Sequence, residues 1–177
     1  MESIKPIIAV DVDDVCIDFI PALLSLYNKD YKDNLTMDQI TDWNILKFID
    51  KQCGKNIYNY MKSPKVYLKA LPVKDSLWGV NILKINGYRV IYLTVNNYGE
   101  SKYEWLLNHG YIESDNDFVI AKDKSLIKAN TLLDDNYENV INFGKSAWLM
   151  SKPWNIKYKH QKVAENWRDF IFKFLGE

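Results

Sequence analysis

Ile7-Ile8-Ala9-Val10-Asp11-Val12-Asp13-Asp14-Val15 is a short apolar run, rich in β-branched residues, that breaks abruptly into carboxylates. A run of this length suits a strand buried on both faces better than a helix. Its acids then fall at the strand's carboxyl end, the edge at which open α/β sheets bind ligands. Alternation along a strand would put Asp11 and Asp13 on the same face.

Similar runs recur at residues 88–94, 117–121 and 130–133, with a weaker one at 147–150, and the first strand reads as 6–12. Helical periodicity separates them. Tyr103, Leu106 and Leu107 share one face before Gly110, and Val163, Trp167, Phe170, Ile171 and Phe174 do so across 161–175. This alternation predicts an α/β fold with a Rossmann-like parallel sheet and helices on both faces. The first two strands lie too far apart for a simple crossover. The intervening segment is aromatic-rich and helical in period, through Ile20, Leu23, Leu24 and Tyr27, then 43–49 and 57–61, with Pro64 and Pro72 bracketing its return. Residues 1–16 and 75–177 are therefore expected to form the core, with 76–85 as its crossover helix, and 17–74 a small helical cap inserted after the first strand.

The chain has 177 residues, room for one domain with a modest insertion. Lys plus Arg and Asp plus Glu are 23 each, so no global field favours nucleic acid or an anionic membrane. No apolar run reaches the ~18 residues of a membrane span, and Met1 to Pro6 lack a leader pattern, which gives a cytoplasmic expectation. Cys16 and Cys53 form no Cys-x-x-Cys pair, and His109 and His160 are the only imidazoles, which argues for buried reduced thiols over a zinc site. Neither glycines nor an arginine follow Cys16 to cradle a phosphate, and no glycine-rich nucleotide loop occurs, so cysteine-phosphatase, dinucleotide and P-loop chemistries are set aside.

Collecting the polar residues at predicted strand ends gives Asp11, Asp13 and Asp14, then Thr94, then Lys122 and Lys124, then Asp134 and Asp135. Carboxylates converging with no cation fixed by the sequence call for a metal, and hard oxygen donors suit Mg²⁺. Phosphoryl transfer needs charge neutralisation and in-line positioning above all. Asp11 would attack phosphorus, and Asp13 would protonate the leaving oxygen and then deprotonate water. Thr94 would hold a phosphoryl oxygen and Lys124 would balance the charge.

In that order, Asp11-x-Asp13-x-Val15, Thr94, Lys124 and Asp134-Asp135 resemble the four motifs of the haloacid dehalogenase (HAD) superfamily of phosphatases. Residues 11–19, 102–106 and 123–136 are similar to the 5′(3′)-deoxyribonucleotidase family within it. The resemblance implies Mg²⁺ held by the Asp11 carboxylate, the Asp13 backbone carbonyl and Asp134, with Asp135 close by. It implies a HAD-like core and a nucleotide captured beneath the cap, Phe19 matching an aromatic that stacks on the base. Trp43 and Val95 complete the expected substrate contacts. Asp14 stands where the family often has glycine, and Val95 where it often has a small or hydroxylic residue. The expected partner is a small nucleotide or phosphate ester, with no membrane and no stable nucleic-acid complex; a homodimer is left as an option.

Singly, each motif has a plainer reading. Asp-x-Asp suits a turn, Thr94 a helix cap, Lys124 a solvated loop, and Asp134-Asp135 a cap for a helix over 138–143. Phe19, Trp43 and Tyr67 suit the core of a small cap, and the lysine-rich stretch 145–162 a solvated surface. The ordered set outweighs these. Its competitors are a phosphatase for another small ester or a nucleic-acid phosphate end, and a receiver-like phosphoacceptor module. In the last, the paired acids would precede the threonine and lysine, whereas Asp134-Asp135 follow them.

Overall fold

The computed structural model describes residues 5–95 and 98–176; Met1 to Ile4, read above for a leader, lie outside them. Six strands, β1 (Ile7–Val10), β2 (Arg89–Thr94), β3 (Phe118–Ile120), β4 (Thr131–Asp134), β5 (Trp148–Met150) and β6 (Val163–Ala164), form one sheet in the order β3-β2-β1-β4-β5-β6. All neighbouring pairs are parallel. The chain steps outward from β1 to β3, returns to the other side of β1 at β4, and steps outward again. The reversal lies between β1 and β4, and open sheets form their binding crevice at such a point. Val10 sits opposite Leu133 in register, so Asp11 and Asp134 leave the sheet side by side.

Both faces of the sheet are covered, as the continuous apolar strands require. Ile8, Val10, Tyr92 and Leu133 point into one apolar cluster and Ala9, Ile91, Leu93 and Leu132 into another. The helices are α1 (Phe19–Tyr31), α2 (Ile57–Met61), α3 (Pro64–Lys69), α4 (Ser76–Ile85), α5 (Gly99–Asn108), α6 (Tyr137–Phe143) and α7 (Trp167–Leu175). Helix α4 is the crossover from the inserted segment to β2. It lies tightly against α7: a Cβ on Gly79 would stand 2.3 Å from Trp167.

Residues 17–74 contain α1 to α3 and three short 3₁₀ turns. Backbone bridges pair Ile17 with both Asp13 and Pro72, so the segment's two ends meet beside the acidic loop. Its apolar residues Leu23, Tyr27 and Ile57 belong to the same cluster as Ile8 and Val10.

Three expectations need correction. Residues 43–49 do not form a regular helix; only Ile45–Lys47 make a 3₁₀ turn. Asp42 accepts from the Asn44 amide at 3.0 Å and Asn44 from the Leu46 amide at 3.2 Å, and such local bonds compete with helix propagation. The final helix begins at Trp167 and not near residue 161, because Val163 and Ala164 pair with β5 and Asn166 caps the helix through the Asp169 amide at 3.0 Å. The stretch 145–162 is solvated only in part: Lys145 and residues 156–159 are exposed, but β5 is buried, and so are Lys152, Trp154 and Asn155.

Candidate active site

Strand β1 ends at Val10, yet the Asp11 amide still donates to the Leu133 carbonyl at 2.9 Å, which fixes the first acid against β4. The chain then turns sharply. The Cys16 and Ile17 amides both donate to the Val12 carbonyl at 2.9 Å, and the indole of Trp167 donates to Val15 O at 2.8 Å. Asp14 takes the left-handed conformation at φ 56°, which Asp adopts at modest cost. Its carboxylate accepts from the Ile20 amide at 2.9 Å, satisfying a donor in the first turn of α1.

Around this loop the predicted residues converge. Asp11, Asp134 and Asp135 each offer a carboxylate oxygen, all within 4.8 Å of one another. Lys124 donates to both Asp11 Oδ1 and Asp134 Oδ2, the latter at 2.7 Å. The Asn136 amide at 2.8 Å and Asn139 Nδ2 at 3.1 Å complete Asp134. Trp154 donates its indole N–H to Asp135 Oδ2 at 2.9 Å, and Asn155 donates to the Asp135 carbonyl at 2.8 Å. Thr94, at the end of β2, accepts from Lys102 at 2.7 Å, and Lys102 also lies 2.7 Å from Asp13 Oδ2.

The carboxylates meet two buried cations: Lys124, which the sequence reading placed among them, and Lys102, which it did not. Even so, Asp11, Asp13, Asp14, Asp134 and Asp135 outnumber Lys102, Lys124 and Lys152. Burial lifts Asp135 well above the ordinary carboxylate range, and Asp11, Asp134 and Asp14 repel its charge further, with Lys152 opposing. Burial also raises Asp134 to about 6 against the pull of Lys124, and Asp14 to about 7 against that of Lys152. Asp13 is raised by burial, with Lys102 opposing. For Lys124, burial works against the charge, but Asp11 and Asp134 outweigh it and keep the ammonium protonated. Closely spaced, hard and under-neutralised oxygens make a fitting seat for a divalent cation such as Mg²⁺.

The cluster forms the floor of a cavity of about 630 Å³. Its opposite wall comes from the inserted segment and includes Phe19, Ile45, Tyr58 and Tyr67, while Val95 and Trp154 line the core side. Phe19 and Tyr67 are buried, with ring centroids 5.6 Å apart. Trp43 is not a core residue: it lines the cavity, is 60% exposed, and meets Trp154 edge to face with centroids 6.4 Å apart. Asp11, Asp13, Thr94, Lys124, Asp134, Asp135, Phe19, Trp43 and Val95 thus all border one space; Lys122 is exposed on the loop outside it.

Sequence reasoning assigned no role to Lys102, Lys152, Trp154 or Asn155. The last three follow β5, and the strand-end rule applied to that weak strand would have found them. Lys102 sits on a helix, where no strand-end rule points.

A parallel sheet in this order, acids at its reversal and an insert after the first strand define a HAD-like hydrolase fold. Solved structures agree on the fold: a haloacid dehalogenase-like hydrolase from Streptococcus pneumoniae superposes with a TM-score of 0.65 at 11% identity, covering 98% of this chain and 100% of that one. A HAD hydrolase from Bacillus subtilis, bound to magnesium, also gives 0.65 at 13% identity, covering 99% and 100%. The chain belongs to the family described as 5′ nucleotidase, deoxy (pyrimidine), cytosolic type C protein, whose model matches residues 5–174; these are phosphoric monoester hydrolases. The 5′(3′)-deoxyribonucleotidase of Clostridium acetobutylicum is 23% identical over 189 residues, covering 94% of this chain and 99% of the relative. That of Bacillus subtilis is 25% identical over 175 residues, covering 97% and 99%.

Proposed function

We propose that this protein is a Mg²⁺-dependent 5′-nucleotidase that hydrolyses deoxyribo- or ribonucleoside monophosphates through an aspartyl-phosphate on Asp11. One observation carries the proposal: the carboxylates of Asp11, Asp134 and Asp135 and the ammonium of Lys124 share the floor of a cavity whose far wall is aromatic. That arrangement accommodates a phosphate at one end and a planar base at the other. The names of the full-length relatives favour a nucleotide over other small esters.

In this reading, the Asp11 and Asp134 carboxylates and the Asp13 backbone carbonyl would hold Mg²⁺, with Asp135 beside them. The ion would supply charge neutralisation for the phosphoryl oxygens. An Asp11 oxygen attacks phosphorus in line; the Asp11–phosphorus bond forms as the bond to the ester oxygen breaks, and Asp13 delivers a proton to that leaving oxygen. Water then attacks the same phosphorus while Asp13 takes its proton, releasing phosphate and restoring Asp11. Thr94 and Lys124 position the phosphoryl oxygens, and Phe19, Trp43 and Val95 contact the nucleoside. Residues 17–74 serve as the cap over the core of 1–16 and 75–177, and Ile17 and Lys74 mark its hinges. Two free buried thiols suit the reducing cytoplasm, where such substrates occur.

Phosphate release from a panel of nucleoside monophosphates and sugar phosphates, with and without Mg²⁺, tests the reading. Nucleotides should be preferred, EDTA should abolish turnover, and Asp11→Asn should leave neither turnover nor acid-stable phosphoenzyme. Undiminished turnover by Asp11→Asn would remove the mechanism; stable labelling by acetyl phosphate without ester hydrolysis would favour a phosphoacceptor module.

A further inference from the structure

Lys102 is a deeply placed charged group bordering the site, its side chain 3% exposed on α5. Burying a lysine this far costs several kcal/mol unless its charge is paired and its protons bonded. Residues of the site pair the charge and take two of its three protons: Asp13 Oδ2 and Thr94 Oγ1, each at 2.7 Å. The two acceptors come from different strand ends, β1 and β2, and among the described residues no other side chain hydrogen-bonds to both. The second oxygen of Asp13, Oδ1, is buried and makes no well-aligned hydrogen bond among the described residues, although the Tyr67 hydroxyl lies close to this carboxylate. An unpartnered carboxylate oxygen is costly to bury and is seldom left without a use.

We propose that Lys102 is a positioning residue that clamps Asp13 by Oδ2 to the hydroxyl of Thr94, leaving Oδ1 as the oxygen that exchanges protons with the reacting ester. The inference rests on the reading of Asp13 as acid and base. A monodentate clamp of this kind sets the rotamer of Asp13 without occupying the oxygen that must carry the proton. It also turns the Thr94 hydroxyl: because Lys102 can only donate, Thr94 Oγ1 accepts from it and keeps its own proton for another acceptor, at present the Val95 carbonyl at 3.3 Å. A phosphoryl oxygen arriving above Thr94 would compete for that proton. Lys124 has the complementary task, tying Asp11 to Asp134.

The test separates positioning from direct phosphate binding by varying the leaving group. Rapid-quench rates of phosphoenzyme formation are measured for a nucleoside monophosphate, whose alkoxide must be protonated, and for p-nitrophenyl phosphate, whose phenolate need not be. Lys102→Met should slow formation from the nucleotide on the order of 10²-fold. Formation from p-nitrophenyl phosphate should change less than 5-fold, with KM for both nearly unchanged, and decay of the phosphoenzyme should slow equally after either substrate. The double variant with Asp13→Asn should be no slower than Asp13→Asn alone, since coupled residues are non-additive. Equal slowing for both esters with a raised KM would make Lys102 a phosphate ligand and overturn the proposal, as would wild-type rates. Should the Met variant be unstable, Lys102→Gln, whose amide can still donate to both acceptors, should slow the nucleotide rate by a smaller factor while again leaving the p-nitrophenyl phosphate rate within 5-fold of the wild type; equal slowing for both esters overturns the proposal here too. Asp11→Asn serves as the control on the parent reading: if it still turns over either ester, that reading fails whatever Lys102 does.

Discussion

Lys124 Nζ lies 2.7 Å from Asp134 Oδ2, and both side chains are almost wholly withdrawn from water. The same ammonium bonds Asp11, so one cation holds the proposed nucleophile and a proposed metal ligand together. Breaking such a pair strands a buried charge, which costs about 3–5 kcal/mol. Lys124→Met should therefore lower the melting temperature markedly and reduce turnover about 10²- to 10³-fold. Since the acids have then lost their internal cation, saturating Mg²⁺ should raise the melting temperature of the variant more than that of the wild type. Thermal denaturation with and without Mg²⁺ measures both increments; equal increments would mean that Lys124 and the ion do not answer the same charge.

The acids at the cavity floor also set a pH dependence. Asp14 is raised to about 7 and Asp134 to about 6 from an unperturbed 3.8, and Asp135 is raised as well, each chiefly by burial. Between 3.8 and these values the folded chain binds more protons than the unfolded one, so stability falls as pH rises. Their contribution is full below about pH 4 and lost through pH 6 to 7. Asp33, Asp75 and Asp169 run the other way, held low by hydrogen bonds or ion pairs, and weaken the fold only in acid. The metal-free protein should melt roughly 5–10 °C lower at pH 8 than at pH 5.5, and saturating Mg²⁺ should remove most of the difference. A metal-free melting temperature that climbs over this interval would contradict the raised values.

Trp43 separates a stacking contact from a packing contact. It is exposed and outside the apolar core, so Trp43→Ala should change stability by less than about 0.5 kcal/mol. If the ring receives the base, its loss should cost about 1–3 kcal/mol of binding. KM for nucleoside monophosphates would then rise roughly 5- to 100-fold with kcat little changed, while KM for ribose 5-phosphate stays constant. A parallel rise for both substrates would assign Trp43 to closing the cavity, through its contact with Trp154, in place of reading the base.

The site was legible where chemistry and strand position coincide. Asp11, Thr94 and Asp134 stand at the ends of strands that announce themselves by short apolar runs, and the parallel order then forces them together. Legibility fails where a contact depends on packing between elements distant in sequence. Trp154 and Asn155 reach Asp135 only because β5 lies beside β4, and β5 with β6 spans too few residues to leave a clear period. Val163 was assigned to a helix face because its spacing from Trp167 fits 3.6 residues per turn; pairing with β5 overrides that spacing. Residues 43–49 failed for the opposite reason, since the local Asp42 and Asn44 bonds defeat the helix that their apolar spacing suggests.

Gly79 controls the site from behind. It lets α4 approach α7 so closely that an added Cβ would meet Trp167 Cε3 at 2.3 Å, and the contact is with a fully buried ring that has little room to move. The same ring's N–H holds the carbonyl of Val15 at 2.8 Å, at the turn that carries Asp11, Asp13 and Asp14. A methyl at position 79 would push on the indole and be transmitted to that turn. On helix propensity alone, glycine to alanine inside α4 should stabilise by up to about 1 kcal/mol. Overpacking costs about 1–3 kcal/mol and should win, because the distance lies far inside van der Waals contact. Gly79→Ala should therefore lower the melting temperature by roughly 2–8 °C and reduce kcat while leaving KM nearly unchanged, the signature of displaced catalytic groups and not of a damaged base pocket. Gly79→Ala combined with Trp167→Phe, which trims the indole and removes the Val15 bond, should recover part of the stability but not the activity. Full recovery of both would show that the indole hydrogen bond has no part in holding the acidic turn.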